Sequence, residues 1–302
     1  MSPQRSQNPS GRLSWRRLLG GLLAACLLLL LAVALSQGAL ADLLPSPIRN
    51  QAGFALHMID VGQGQALLLT CGGKAAMVDT GLPDTSRQVT DYLLKQGVRQ
   101  LDYLFITHPH SDHFGGTRRV VETLGADVLI IPEYLSEEAA LTTAGDWVGN
   151  TATLISVTQA GKQYALGEAT ITVLHPQAGN DIDDMNDLSL VLLVEYAGRR
   201  ILLTGDLTEN MEPALLPIGP VDVLQVAHHG SYTSSTQAFL EDVRPKYALI
   251  SCGRNNEYGH PHNVVIARLE DVGAQIRRTD EEGTLLVRIV EGQIAVTSEN
   301  KS

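Results

Sequence analysis

The chain has 302 residues, 44% of them apolar and 18% charged, with 28 glycines and a formal net charge of −11. That composition excludes a disordered or fibrous chain and supports one large core with many tight turns and no disulfide framework. Arg5, Arg12, Arg16 and Arg17 are the charged side chains of residues 1–41, so residues 42–302 carry 18 basic and 33 acidic groups, a net −15; such a surface repels phosphate backbones at long range and argues against tight nonspecific nucleic-acid binding, though not against a phosphodiester drawn in locally by bound cations.

Residues 1–17 are polar and basic, residues 18–35 (LLGGLLAACLLLLLAVAL) hold no charge, and Ser36-Gln37-Gly38 leads into Ala39-Leu40-Ala41. This is the order of a secretory signal with an A-x-A site after Ala41. The uncharged run is also long enough for a single uncleaved membrane anchor. Either way residues 1–41 read as a targeting segment and 42–302 as one extracytoplasmic domain, secreted or held on the outer face of the cytoplasmic membrane. Arg16-Arg17 fits a twin-arginine signal poorly between Trp15 and Leu18. Cys26 fits a lipoprotein site poorly because the apolar run continues past it. Cys71 and Cys252 read as small buried residues at strand ends, and their spacing does not say whether they pair.

In chain order, FALHMID (54–60), ALLLTC (66–71) and AAMVDT (75–80) read as strands separated by glycine turns. Thr85 to Gln96 reads as a helix with Val89, Tyr92 and Leu93 on one face. LDYLFIT (101–107) is a buried strand, 117–124 a helix and DVLII (127–131) a strand; residues 134–150 read as a helix or loop flanking the site. Strands resume with ATLISV, TITVLH, SLVLLVEY and RILLTGD, the last two joined by a hairpin at Ala197-Gly198. VDVLQVAHH, a helix at 236–243, YALISCG, a helix at 263–273, QIRRT, GTLLVRIV and QIAVT complete the chain. Strand-rich halves with helices between them imply an α+β fold whose sheets are covered on their outer faces.

The strongest signal is Thr107-His108-Pro109-His110-Ser111-Asp112-His113, which directly follows a buried strand. Loops at strand ends carry chemistry on a rigid base. His108 and His110 alternate along extended backbone and so point the same way, while Asp112 and His113 turn to the other side of the same pocket. Imidazole and carboxylate donors in this density suit two divalent cations, zinc or alternatively manganese. A two-metal site needs a bridging anion. Asp206, in LLTGD after an apolar strand, fits, with Gly205 allowing close backbone approach. The run from Val221 to Ala227 delivers His228-His229-Gly230-Ser231 to another strand end; one histidine is expected to bind metal, and the other to bond substrate or orient a ligand. The reading leans to His228 as the ligand, leaving His229 for catalysis. His260, in Tyr258-Gly259-His260-Pro261-His262, reads as a phosphate contact or general acid, or else as part of a helix-entry turn. Asp79 is expected to orient a metal-binding histidine. His57 reads as packing, and His175 as either site-lining or structural.

His108-x-His110-x-Asp112-His113 with Asp79, Asp206 and His228/His229 resembles the metallo-β-lactamase superfamily. DVGQG (60–64), THPHSDH, SLVLLVEY, LLTGD, HHGS and NNEYGHPH in this order resemble the hydrolase domain of ComEC-type competence (DNA-uptake) proteins, over nearly all of residues 54–290. The resemblance implies a four-layer αββα sandwich with metals at the sheet edge and phosphoester hydrolysis, including nuclease action. It implies that His108, His110 and Asp206 hold one metal, and that Asp112, His113, Asp206 and His228 or His229 hold the other. Three departures stand out. The many-span channel of those proteins has no counterpart, so this chain is not expected to conduct DNA. The Asp often found after VGQG is Gln65. The separate histidine that often completes the first metal has no clear equivalent, leaving His175, Asn186 or water for that side.

The expected activity is therefore hydrolysis by a bridging water whose pKa two cations lower, with Asp206 as anion or base and His260 or His229 donating to the leaving group. The expected substrate is a small phosphoester or short nucleic acid. The alternatives are another ester or amide (a phosphocholine ester, a lactone) or a non-catalytic envelope protein stabilised by metal; a β-lactam fits least. Oligomeric state is not legible.

Overall fold

The computed structural model describes residues 52–132, 151–177 and 184–299. The chain divides at Ser46/Pro47, and all described residues lie in the second part. The targeting segment 1–41 and the helix or loop expected at 134–150 lie outside the described residues. Among the described residues, no helix is long and apolar enough to cross a membrane.

The first sheet runs in the order β15-β14-β1-β2-β3-β4-β5-β6. Its strands are β1 (Phe54–Met58), β2 (Leu67–Cys71), β3 (Lys74–Val78), β4 (Leu101–Phe105), β5 (Ala126–Pro132), β6 (Leu154–Thr158), β14 (Leu285–Val290) and β15 (Gln293–Ser298). The second runs β13-β12-β11-β10-β9-β8-β7. It holds β7 (Gln163–Leu166), β8 (Ala169–His175), β9 (Val191–Tyr196), β10 (Arg199–Leu203), β11 (Val223–Gln225), β12 (Tyr247–Ile250) and β13 (Gln275–Arg278). Both sheets are mixed. Strands β3 to β6 are parallel, as are β10 to β13; the remaining pairings are antiparallel hairpins and meanders.

Parallel neighbours need crossovers long enough for a helix. Between β3 and β4 lies α1 (Ser86–Lys95), and between β4 and β5 lie α2 (Ser111–Phe114) and α3 (Thr117–Leu124). The second sheet receives α4 (Glu212–Leu215), α5 (Gln237–Val243) and α6 (Asn263–Asp271), and α7 (Thr279–Glu282) follows β13. Strand alternation then sorts side chains into layers. Leu67 and Leu69, with Phe54, Leu56, Met58 and Phe105, face the second sheet and meet its Ile171 and Leu192. Leu68, between them, faces outward with Met77 and Leu104 onto Val89 and Leu93 of α1 and Val120 and Val121 of α3. On the far side Val191, Leu202 and Leu224 meet Phe239 and Leu240 of α5 and Val265 and Leu269 of α6. Strands buried on both faces read as unbroken apolar runs, which is why the central strands were legible.

Strand β7 was not expected. Its QYAL has one fully buried side chain, Leu166, so it carries no apolar pattern to read. The hairpin at Ala197-Gly198 is present, with both residues at positive φ (48° and 74°) as the tight turn requires. Cys71 and Cys252 are both buried and unpaired thiols. His57 packs within β1, its Nδ1 2.8 Å from the Tyr92 hydroxyl.

Candidate metal centre

Every expected site residue that carries a charge or an imidazole at the cleft follows the carboxyl end of a parallel strand. Asp79 follows β3, the His108–His113 segment β4, Asp206 β10, His228 and His229 β11, and His260 β12. Both sheets contribute here: the first the His-rich loop, the second the central carboxylate and the His pair.

Asp79 is fully buried and sits at φ 60°, turning its carboxylate back under the loop. It accepts four hydrogen bonds: from Gln65 Nε2 (2.9 Å), Thr107 N (2.8 Å), Thr107 Oγ1 (2.8 Å) and His113 Nδ1 (2.7 Å). The ring of His113 is thereby fixed with Nε2 pointing away from Asp79. His229 is fixed in the same manner, its Nδ1 donating to the Ser251 carbonyl at 2.8 Å. Both bonds place a proton on Nδ1, so Nε2 is the nitrogen left to face a cation once the ring is neutral. Those two Nε2 atoms lie 3.3 Å apart.

Asp206 stands at the centre. Its Oδ1 is 3.2 Å from His113 Nε2, and its Oδ2 is 3.6 Å from His229, 3.8 Å from His228 and 3.9 Å from His108, each at Nε2. Asp112 Oδ2 lies 3.3 Å from His229 Nε2. One donor atom from each of Asp112, His113, Asp206 and His229 falls within 4.8 Å of all the others. Two imidazole lone pairs facing each other beside two carboxylates is an arrangement that only a cation or added protons can satisfy, and Asp206 Oδ1 is a buried atom with no hydrogen-bond donor. The residues therefore fit a divalent metal.

The titration behaviour reports the same negative potential. Burial pushes the His113 imidazole down, but Asp206 and Asp79 outweigh it and hold it well above its ordinary value. His229 is raised likewise against burial by Asp206 and Asp112. Asp206, despite burial, is held well below the carboxylate range by His113 and His229, and Asp112 is drawn down to about 2 against burial by its bond to His229.

The chain builds the Asp206 turn from polar groups outside the sequence motifs. Gln225 Oε1 accepts from Thr204 N (2.7 Å) and Gly205 N (2.9 Å), and its Nε2 donates to the Gly205 carbonyl (3.1 Å). Asp206 N donates to Ser189 Oγ at 3.0 Å. Gly205 sits at φ 55°, and a Cβ there would meet Ser189 and Thr107 atoms at 3.0 Å, so the close approach read from sequence is real. His228 and His229 both take left-handed backbone (φ 51° and 55°). That turn sends His229 inward, 2% exposed, and leaves His228 at the cleft wall. Thus the member of the pair that joins the four-residue cluster is His229, not His228 as expected from sequence. Gln65, Thr107, Ser189, Gln225 and Ser251 share one signal that could have found them: a buried polar residue at the edge of an apolar run.

On the other side of Asp206, His108 is fully buried, with Nδ1 3.1 Å from Thr107 Oγ1. Because that hydroxyl donates its proton to Asp79, it accepts from His108, leaving His108 Nε2 as the lone pair. His110 Nδ1 lies 3.0 Å from it. A cleft of about 310 Å³ opens over the cluster, walled also by Gln63, Tyr258 and His260. The His260 ring is 5.7 Å from that of His228. His175 and Asn186 do not line the cleft. His175 is buried with Nδ1 3.3 Å from the Ser189 carbonyl, one layer behind the Asp206 turn; Asn186 lies in the helical turn Met185–Leu188 with its Oδ1 buried and unpartnered.

Two mixed sheets covered by helices, with a His/Asp cluster suited to metal at their carboxyl ends, define a metallo-β-lactamase fold. The family model for the metallo-beta-lactamase superfamily matches residues 59–254, and the chain belongs to that superfamily. It is 32% identical over 258 residues to ComE operon protein 3 of Bacillus subtilis, covering 77% of this chain and 33% of that protein. It is 32% identical to Competence protein ComA of Neisseria gonorrhoeae, covering 76% of this chain and 32% of that one. The chain thus spans about a third of these competence relatives. A stretch of 46% of the chain is 34% identical to 44% of a hydroxyacylglutathione hydrolase of Anaeromyxobacter dehalogenans. Among solved structures, CmlA, a diiron β-hydroxylase from Streptomyces venezuelae, superposes with a TM-score of 0.55 at 14% identity, covering 80% of this chain and 55% of that one. The metallo-beta-lactamase fold protein YhfI from Bacillus subtilis gives 0.51 at 14%, covering 74% and 96%. At such identities both bear on the fold alone.

Proposed function

We propose that this chain is an exported metal-dependent phosphodiesterase acting on short nucleic-acid or small phosphoester substrates. The observation that carries the reading is the convergence of Asp112, His113, Asp206 and His229 within 4.8 Å at the floor of an open cleft. These four would hold one divalent cation, and His108, His110 and Asp206 a second; mixed imidazole and carboxylate donors suit zinc. Such cations supply Lewis acidity, lowering the pKa of water and polarising the phosphoryl oxygen.

The protein groups do the rest. Asp79 and Ser251 hold the His113 and His229 rings in one tautomer. Asp206, held well below the carboxylate range, serves as a fixed anion and a poor base. Burial and the neighbouring His229 push His260 down to about 4. Its ring is therefore neutral near pH 7 and offers an N–H hydrogen bond to a phosphoryl oxygen rather than a readily transferred proton. His228, with Nδ1 3.2 Å from Thr233 Oγ1, faces the same wall and orients the substrate beside it. The similarity to competence proteins supports a nucleic-acid phosphodiester; the acidic surface favours short stretches over long duplex. The uncharged run 18–35 supports export.

The test is metal analysis of the full chain with bis(p-nitrophenyl) phosphate hydrolysis, beside Asp206→Ala. Two metals per chain and turnover abolished by the substitution are expected. A second reading, thioester hydrolysis, follows from the hydroxyacylglutathione hydrolase similarity. Two metals with thioester but no phosphodiester turnover would favour it, and failure to bind metal after reconstitution would sink both.

A further inference from the structure

The cleft wall carries an exposed aromatic ring that the hydrolytic reading leaves unused. Tyr258 lines the cleft yet is 59% exposed. Its ring stacks on His260, centroids 5.6 Å apart and planes 23° from parallel. His260 in turn stacks on His229, 6.2 Å and 25°. Three rings therefore form a ladder from solvent to a member of the metal cluster. The loop that presents them is braced. Asn256 Nδ2 donates to the Gly253 (2.9 Å) and His260 (2.6 Å) carbonyls, Asn256 Oδ1 accepts from His260 N (2.9 Å), and Gly253 N donates to Gln63 Oε1 (3.1 Å). A ring held in place with one face left to solvent loses little freedom when something stacks on it. Among the described residues no lysine or arginine lines the cleft, so they offer the phosphate backbone no side-chain cation there.

We infer that Tyr258 is a stacking platform for an unpaired nucleobase adjoining the scissile phosphate, which makes this site selective for single-stranded nucleic acid over base-free phosphodiesters. The inference rests on the phosphodiesterase reading. A base in a duplex presents no free face to such a ring, whereas every unpaired base does. With no basic wall, affinity comes from the cluster and the stack, and the footprint is one or two nucleotides.

The test is fluorescence anisotropy of the full, zinc-loaded chain with a 5′-labelled phosphorothioate pentathymidylate and with an abasic chain of the same length. The wild type is expected to bind the thymidylate more tightly. Tyr258→Ala should weaken that binding about 5- to 150-fold, the range of one aromatic–base stack, and leave the abasic chain unchanged. Tyr258→Phe should retain it, because the stack needs the ring and not the hydroxyl. Tyr232, equally exposed at 60% but off the cleft wall, should tolerate alanine. Equal binding of the two chains by the wild type, equal weakening of both by Tyr258→Ala, or no measurable thymidylate binding overturns the inference. Wild-type turnover of bis(p-nitrophenyl) phosphate is read separately: its loss counts against the hydrolytic reading, whereas turnover combined with base-blind binding counts against the stack alone.

Discussion

The two sides of Asp206 hold their histidines differently. On one side, His113 is locked by Asp79 at 2.7 Å and His229 by the Ser251 carbonyl at 2.8 Å, and both free lone pairs aim into the cluster. On the other, His108 Nδ1 is braced by hydroxyls alone, Thr107 Oγ1 at 3.1 Å and Ser189 Oγ at 3.5 Å, and its inward nitrogen is 3.0 Å from His110 Nδ1. The first side presents its donors to a cation as they stand. The second must first separate two of its own ligands. Hydrogen bonds behind a ligand fix ring orientation and raise basicity, so under the proposed two-metal reading one carboxylate would serve two sites of unequal readiness, and metal is expected to load and leave in two steps.

The largest effect should come from the residue both sides share. Asp206→Ala is expected to remove both metals and all turnover, because it takes away the central anion and leaves His113 and His229 facing one another. Single-side substitutions sharpen the contrast. His113→Ala should leave little metal of either kind, whereas His110→Ala should retain one ion per chain, measured by elemental analysis after gel filtration. Chelator titration of the wild type should then show one ion leaving well before the other. Simultaneous release would break the comparison outright. Next in size, Asp79→Asn should weaken the His113 side by about 10- to 100-fold, the usual effect of losing a carboxylate behind a metal-binding histidine, with a smaller effect on the His110 side, which Asp79 reaches only through the Thr107 hydroxyl.

The layered fold and the candidate ligands in its loops were legible for one reason: they follow buried strands, whose apolar runs end abruptly in His and Asp. THPHSDH after LDYLF and TGD after RILL needed no structure to be seen. What the residues do not carry is handedness within a turn. His228 and His229 are chemically identical in sequence; the left-handed backbone at both positions, tied down by the bond from His228 N to the Gly205 carbonyl at 3.1 Å, decides which one turns inward. The unread β7 failed for the opposite cause, being a polar edge strand whose partner β8 supplies the apolar side chains. The supporting shell of Thr107, Ser189, Gln225 and Ser251 carries only a weak sequence signal, a polar residue at the edge of an apolar run, because common polar residues gain their full meaning from burial.

The smallest effect tests whether the locked side depends on more than one bond. Gln65 stands where many relatives were expected to carry Asp, and the structure shows what an amide does there. Its Nε2 donates to Asp79 Oδ2 at 2.9 Å, while its backbone N donates to the Asp112 carbonyl at 3.0 Å, joining the first glycine loop to the ligand loop. Gly64 permits that approach, since a Cβ there would lie 2.7 Å from the Asp112 carbonyl oxygen. Gln65→Leu keeps the backbone link and removes one of the four hydrogen bonds to Asp79. A single such bond is worth about 0.5–1.5 kcal/mol, so metal affinity on the His113 side should fall about 2- to 10-fold. The loss should be well below that of Asp79→Asn, with no change at His110. Gln65→Glu should cost more, because it sets a second carboxylate against a buried one and must either take up a proton or destabilise the loop. An unchanged affinity in the leucine variant would mean that the remaining three bonds already fix Asp79, and that Gln65 adds nothing to the lock on His113.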